Sequence, residues 1–200
     1  MSNLESVIRA KVDLADYVSQ YTTLKRTGNT WRGTCPIHGG ENASAFTVFP
    51  HGTFYCFSCG ACGNVINFVA EYEHITYEAA TEKLADMLNI DVSTNAEYMR
   101  QRDLIQEYRH RVVTASRNLE SNKELQDYLC KRKIGKDVAK LFHLGADKQA
   151  SGSLVIPIYN VNDQPVAIAK RYFNAKYKYK NSKNSEVFDK SETLYGLNVS

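Results

Sequence analysis

Four residues able to ligate a metal come in two short pairs. They are Cys35-Pro36-Ile37-His38 and, after the seventeen residues 39–55, Cys56-Phe57-Ser58-Cys59. Two residues between the members of a pair let both side chains reach one ion from a single tight turn. Three thiolates and an imidazole complete a tetrahedral Zn²⁺ shell with no open position, so the expected ion is structural, one per chain, and does no Lewis-acid chemistry. Cys62 makes a further pair, Cys59-Gly60-Ala61-Cys62. A tetrahedral site takes four ligands, so Cys62 is either a bystander or an alternate for one of them. The knuckle Cys56–Cys59 is nearer the strand and favours the bystander reading. Cys130 reads as a small buried hydrophobe. His51 lies in a turn, and His74, His110 and His143 have no partners nearby in sequence; these four read as surface or structural residues.

Those ligands must be positioned by a modest protein. The 200 residues are 43% hydrophobic and 24% charged, the balance of an ordinary globular chain with room for one large or two small domains. No apolar run approaches the roughly 18–20 residues needed to span a bilayer. The start, Met1-Ser2-Asn3-Leu4-Glu5, lacks the basic-then-apolar order of a secretory leader. Four of the five cysteines fall within residues 35–62, which points to metal binding in a reducing cytoplasm and not to a disulfide framework. The net charge of +3 conceals a gradient. Residues 1–90 carry six Lys/Arg against nine Asp/Glu, whereas residues 164–200 carry seven against three. Lys170, Arg171, Lys176, Lys178, Lys180, Lys183 and Lys190 make the C-terminal end basic, as a polyanion-binding surface requires.

Periodicity predicts the elements. Leu4, Val7 and Ile8 share a helical face, and Asp13 can cap a short helix bearing Leu14, Tyr17 and Val18. Lys25 to Asn29 reads as a basic turn. Residues 31–34, 45–49 and 53–57 alternate as strands, with a turn at Pro50-His51-Gly52. Asn64 can cap a helix carrying Val65, Ile66, Phe68 and Val69. Thr76 can cap the next, with Ala80, Leu84, Met87 and Leu88 expected on its buried face. The polar run Asn89–Asn95 suggests a boundary, giving domains 1–92 and 93–200. A long charged helix is expected over 96–119, shorter ones over 123–131 and 136–142, then strands at 154–159 and 166–173. The fold class is α+β: a zinc-ribbon-type small antiparallel sheet with flanking helices, linked to a second α+β subdomain of helices followed by a β-hairpin.

Trp31, Arg32, Phe46, Phe54, Tyr55 and Phe57 could stack on unpaired bases, with Lys25, Arg26 and Arg32 touching phosphate. Alternation turns about half of these rings into a core, so the basic residues are the firmer candidates.

The run Cys35-Pro36-Ile37-His38, Ala45-Phe46-Thr47-Val48, Phe54 to Gly60 and Gly63 to Phe68 resembles the zinc-binding domain of bacterial and phage DNA primases of the DnaG type. Tyr21 to Lys25 leading to Trp31-Arg32-Gly33 resembles that family's first strand, and Glu78 to Ala85 its closing helix. Cys62 stands where the family has a non-cysteine. The second half resembles the start of the same family's RNA polymerase domain: Leu154 to Tyr159 and Val166 to Arg171 as a strand pair, Lys178-Tyr179-Lys180-Asn181-Ser182 after it, then Phe188-Asp189-Lys190 and Leu194-Tyr195-Gly196-Leu197. Ala169 and Lys170 replace the glycines that the family has before its arginine.

The resemblance implies a primase whose zinc domain selects the start site on single-stranded DNA. Arg132, Arg171, Lys178 and Lys190 would form a basic ridge that guides the template, and a replicative helicase would be a partner of the full-length protein. Primer synthesis needs Mg²⁺ or Mn²⁺ held by clustered carboxylates. In the family a Toprim segment supplies them as a glutamate and an aspartate-x-aspartate. No Asp-x-Asp occurs in these 200 residues, and Asp163, Glu186, Asp189 and Glu192 form no cluster in the sequence. No catalytic residue is therefore assigned. The expectation is an N-terminal piece of a primase, with a non-catalytic single-stranded-DNA or replisome-binding protein on the same scaffold as the alternative.

Overall fold

The computed structural model describes residues 3–147, 152–173 and 178–193, and the chain divides into two compact units, Met1–Met99 and Arg100–Ser200. The segment Leu194-Tyr195-Gly196-Leu197 and Lys176 lie outside the described residues.

The first unit opens with helices α1 (Asn3–Lys11) and α2 (Leu14–Val18). Leu4 and Ile8, one helical turn apart, are buried. Asp13 caps α2 by accepting from the Asp16 N–H at 2.9 Å. Five antiparallel strands follow in sequence order: β1 (Lys25–Thr27), β2 (Thr30–Gly33), β3 (Phe46–Phe49), β4 (Thr53–Cys56) and β5 (Cys62–Gly63). Where the sequence suggests only a basic turn at residues 25–29, Lys25–Thr27 pairs with Thr30–Arg32 as a hairpin, with Gly28 at φ 61° closing it.

Period-two alternation separates the two faces of this sheet. Trp31, Val48 and Phe54 form one cross-strand row on the inner face, with Phe46 beside it. The Phe46 and Phe54 rings stack at 5.0 Å. Helices α3 (Val65–Glu73) and α4 (Tyr77–Met87) close that face. Phe68 of α3 meets Phe46, Phe54 and Tyr17 edge-on at 6.0, 5.8 and 6.2 Å. The register of α3 is set by a reciprocal cap: the Asn64 side chain accepts from the Asn67 N–H, and the Asn67 side chain accepts from the Asn64 N–H. Thr76 caps α4. Leu84 is fully buried and Leu88 half-buried, but Met87 is half exposed, because the buried stripe runs through residues 80, 84 and 88 and leaves 87 on its flank. A short 3₁₀ turn (Val92–Thr94) follows, and Tyr98 and Met99 still pack on this core, which carries the first unit past the polar run at 89–95.

The second unit contains most of the long helix α5 (Ala96–Glu120), then α6 (Lys123–Lys131) and α7 (Lys136–Leu141). Its four-stranded antiparallel sheet has the order β6 (Gly145–Ala146), β7 (Ser153–Tyr159), β8 (Pro165–Tyr172), β9 (Tyr179–Asn181). Leu125, Leu129, Leu144 and Leu154 form one patch of its core, and Tyr108, Ala115, Val155 and Ile168 another. Cys130 is exposed and not buried as expected, because α6 turns Leu125 and Leu129 inward and leaves the next position outside. No helix among the described residues is long and apolar enough to cross a membrane.

Phe68 carries the first core, whereas Phe57 is 66% exposed. Urea unfolding of the zinc-loaded chain should therefore show a loss of roughly 3–5 kcal/mol for Phe68→Ala. Phe57→Ala should stay within about 0.5 kcal/mol of the wild type.

Candidate functional site

Strand β2 ends at Gly33, two residues before Cys35, and β4 ends on Cys56 itself. The cross-strand row Gly33, Phe46 and Cys56 places those ends side by side across β3. Each ligand pair thus leaves the same end of the sheet. The ligand atoms of Cys35, His38, Cys56 and Cys59 all lie within 4.8 Å of one another, and His38 Nδ1 is 3.8 Å from Cys56 Sγ. A tetrahedral zinc with ordinary Zn–S and Zn–N bonds holds neighbouring ligand atoms about 3.6–3.8 Å apart, so the donor set and its spacing fit that ion.

Local backbone builds each knuckle. The Gly60 N–H donates to the Cys56 carbonyl at 2.9 Å, the Cys56 N–H donates to the Ala61 carbonyl at 2.8 Å, and Gly60 takes φ 80°. A Cβ at Gly40 would overlap the His38 imidazole, so glycine there leaves room for the ring. Cys35 and Cys56 are buried, whereas His38 and Cys59 face outward. Burial pushes the Cys35 thiol up to about 12 even though the His38 and Ile37 N–H groups favour the thiolate. Burial also acts on Cys56, but there the N–H groups of Cys59 and Ser58, with the neighbouring thiols, outweigh it and lower the thiol's pKa. Cys62 lies exposed on β5 opposite Tyr55, outside the four-ligand group.

A second row crosses the whole sheet on its outer face: Lys25, Arg32, Thr47, Tyr55 and Cys62. Lys25 and Arg32 are exposed neighbours. Tyr55 and the exposed Phe57 pack edge to face at 4.9 Å. Arg26 belongs to the inner-face row, with its guanidinium 6.0 Å from the Trp31 ring. The structure thus brings Lys25 and Arg32 together and turns Arg26 to the opposite side.

In the second unit Arg132 caps the end of α6 and is exposed, as are Lys178 and Lys190. Lys170 pairs with Asp147. Arg171 lies in β8 beside Tyr128, Phe173 and Tyr179. Sequence reasoning misses this aromatic surround. Its only sequence trace is Tyr128 one helical turn before Arg132, and Tyr179 between two lysines.

Residues 2–100 match the family model for the CHC2 zinc finger, and residues 148–200 match that for the DNA primase catalytic core, N-terminal domain. A DNA primase of Thermotoga maritima is 31% identical over 229 aligned positions, covering 94% of this chain and 40% of the relative. A DNA primase of Listeria monocytogenes is 38% identical over 87 positions, covering 43% of this chain and 14% of the relative. The crystal structure of the Aquifex aeolicus primase zinc-binding and RNA polymerase domains aligns with a TM-score of 0.47 and 26% identity, over 99% of this chain and 58% of that one. The chain spans about two fifths of the length of the Thermotoga relative.

The ligand geometry predicts one zinc per wild-type chain, lost together with the native circular dichroism in Cys56→Ala and in His38→Ala. Cys62→Ala should keep the full metal content. Because the Cys35 proton must leave when zinc enters, affinity should rise with pH, as a competing chelator would read on either side of neutrality. Full zinc content in either ligand variant overturns the assignment.

Proposed function

Since the chain belongs to the DnaG-type family of DNA primases, we propose that it is the template-handling part of a primase and binds single-stranded DNA. Cys35, His38, Cys56 and Cys59 hold one structural zinc that braces the small sheet. The zinc domain selects the initiation site, and Lys25 and Arg32, adjacent on the outer face, meet the template's phosphates there. In the second unit Arg132, Lys178 and Lys190 are solvent-facing cations that accompany Arg171 in guiding the strand. The observation that carries this reading is the convergence of the four ligands at the end of a sheet whose outer face bears the exposed Lys25 and Arg32.

Mg²⁺ or Mn²⁺ would serve the primer-synthesising Toprim centre, whose carboxylates these 200 residues do not supply. What this chain's own residues do is hold and orient a strand. Cations placed along a surface exchange condensed counterions for phosphate, which gives affinity without sequence preference. A replicative helicase is the partner proposed for the whole protein.

Binding to a labelled single-stranded oligonucleotide tests the reading. Affinity should fall steeply with salt, and Lys178→Ala or Arg32→Ala should each weaken binding across sequences and lower the salt slope by about one. No binding at low salt, or affinity independent of salt, overturns it. With nucleotides and Mg²⁺ the 200-residue chain should make no primer, and detectable synthesis would overturn the account of its missing carboxylates.

A further inference from the structure

The second unit holds a cavity of about 1030 Å³ between the C-terminal end of α5, α6 and α7. Leu119, Leu129, Ala139 and Leu144 make its floor, and all four belong to the core beneath. Cys130 also lines it and is exposed. Local bonds fix the walls. The Gln126 side chain donates to the last carbonyls of α5, those of Leu119 and Glu120, at 2.9 and 2.8 Å. Helices α6 and α7 each end in a left-handed residue that is not glycine, Lys133 at φ 60° and His143 at φ 48°. Just after each, an N–H reaches back to close the helix, Ile134 to the Leu129 carbonyl and Leu144 to that of Ala139. Both left-handed residues line the cavity. A cavity held in this way is in place before a ligand arrives.

Charge divides the lining. Lys133, Lys136 and Lys140 come from α7 and the turn before it, and all three are exposed. Among the described residues none of them forms an ion pair. Lys136 and Lys140 lie one turn apart on α7, about 6 Å along its axis. Glu120 of α5 and Asp127 of α6 supply the acidic part of the lining. Those carboxylates repel a phosphate chain, and no Phe, Tyr or Trp lines the cavity to seat a base. Its walls are helices and their connections, so an extended peptide finds no strand edge to pair with. A single anionic head group answers only one or two of the three cations. An apolar ridge flanked by carboxylates at one-turn spacing answers the floor and the cations together, and that is the pattern of an amphipathic helix.

We propose that this cavity docks an amphipathic helix of a partner protein, its apolar side chains over Leu119 and Leu129 and its carboxylates on Lys136 and Lys140. Glu120 and Asp127 set the direction of the helix, because one laid in reverse brings its carboxylates against them. Arg132, Arg171, Lys178 and Lys190 do not line the cavity, so docking leaves them free for a strand.

Fluorescence anisotropy with the whole zinc-loaded chain tests this against labelled synthetic helices of about five turns. The first carries leucines along one face, glutamates at one-turn spacing on one flank and glutamines elsewhere. A second replaces the glutamates by lysines, and a third replaces the leucines by serines. The first should bind about tenfold more tightly than either of the others. Lys136→Gln combined with Lys140→Gln should erase most of the preference for glutamate over lysine. Cys130→Trp fills the cavity from an exposed position and should weaken the first helix about tenfold. Both variants should keep the wild-type circular dichroism and the wild-type affinity for an oligothymidylate. Amide shifts of the isotope-labelled wild type with the first helix should map to Cys130, Lys136 and His143. No binding of the first helix, equal affinity for the first and second, shifts that spare the cavity, or displacement of the helix by oligothymidylate overturns the docking role and leaves template binding standing. Failure of the wild type to bind oligothymidylate overturns the template reading alone.

Discussion

Two turns separated by seventeen residues must bring four ligand atoms within 4.8 Å, and the first unit is arranged around that convergence. Its strands are two to four residues long, shorter than the usual five or six, and a sheet of that size buries little apolar surface. A structural zinc can contribute about 10–16 kcal/mol of folding free energy, comparable to the net stability of a whole domain. The antiparallel register answers the geometric demand. By pairing Phe46 with both Gly33 and Cys56, it leaves the two knuckles at one end of the sheet, separated by a single strand.

The other end of the stability problem falls to aromatic packing. Phe68 projects from α3 onto the stacked rings of Phe46 and Phe54 and onto the ring of Tyr17, so one side chain ties α3 to both the sheet and α2. The inner face is covered in this way, and on the outer face Thr47 is buried while Lys25 and Arg32 stay exposed. Lys25, Arg32 and Tyr55 lie there in one row because antiparallel partners share a face. The second unit solves a related problem differently. Its arginine on β8 is packed among rings, and the exposed lysines carry the open charge.

Much of this is legible in the sequence where the cause is local. The caps at Asp13, Asn64 and Thr76 satisfy helix-end N–H groups two or three residues away, and each helix begins where its cap predicts. The strand pair at 154–159 and 166–173 also follows the apolar pattern, with β7 and β8 closely matching it. The hairpin at Lys25–Thr27 is harder to read, because three exposed polar residues give no alternation and become a strand only through pairing with β2. Met87 escapes the core that periodicity assigns it, since periodicity alone does not say how wide the buried stripe of α4 is.

Ligand types, their spacing in each knuckle and membership of the family can all be read from the chain alone, because they reside in short runs of residues. Folding adds that Cys35–His38 and Cys56–Cys59 meet while Cys62 stands apart, which depends on where β2 and β4 end relative to one another. Folding also sets Arg26 on the same face as Trp31 and lays Arg171 against Tyr128, a residue from a distant helix. One cause underlies each case. Which neighbours a side chain meets is set by strand register and by packing between elements, and neither is encoded in the spacing of nearby residues.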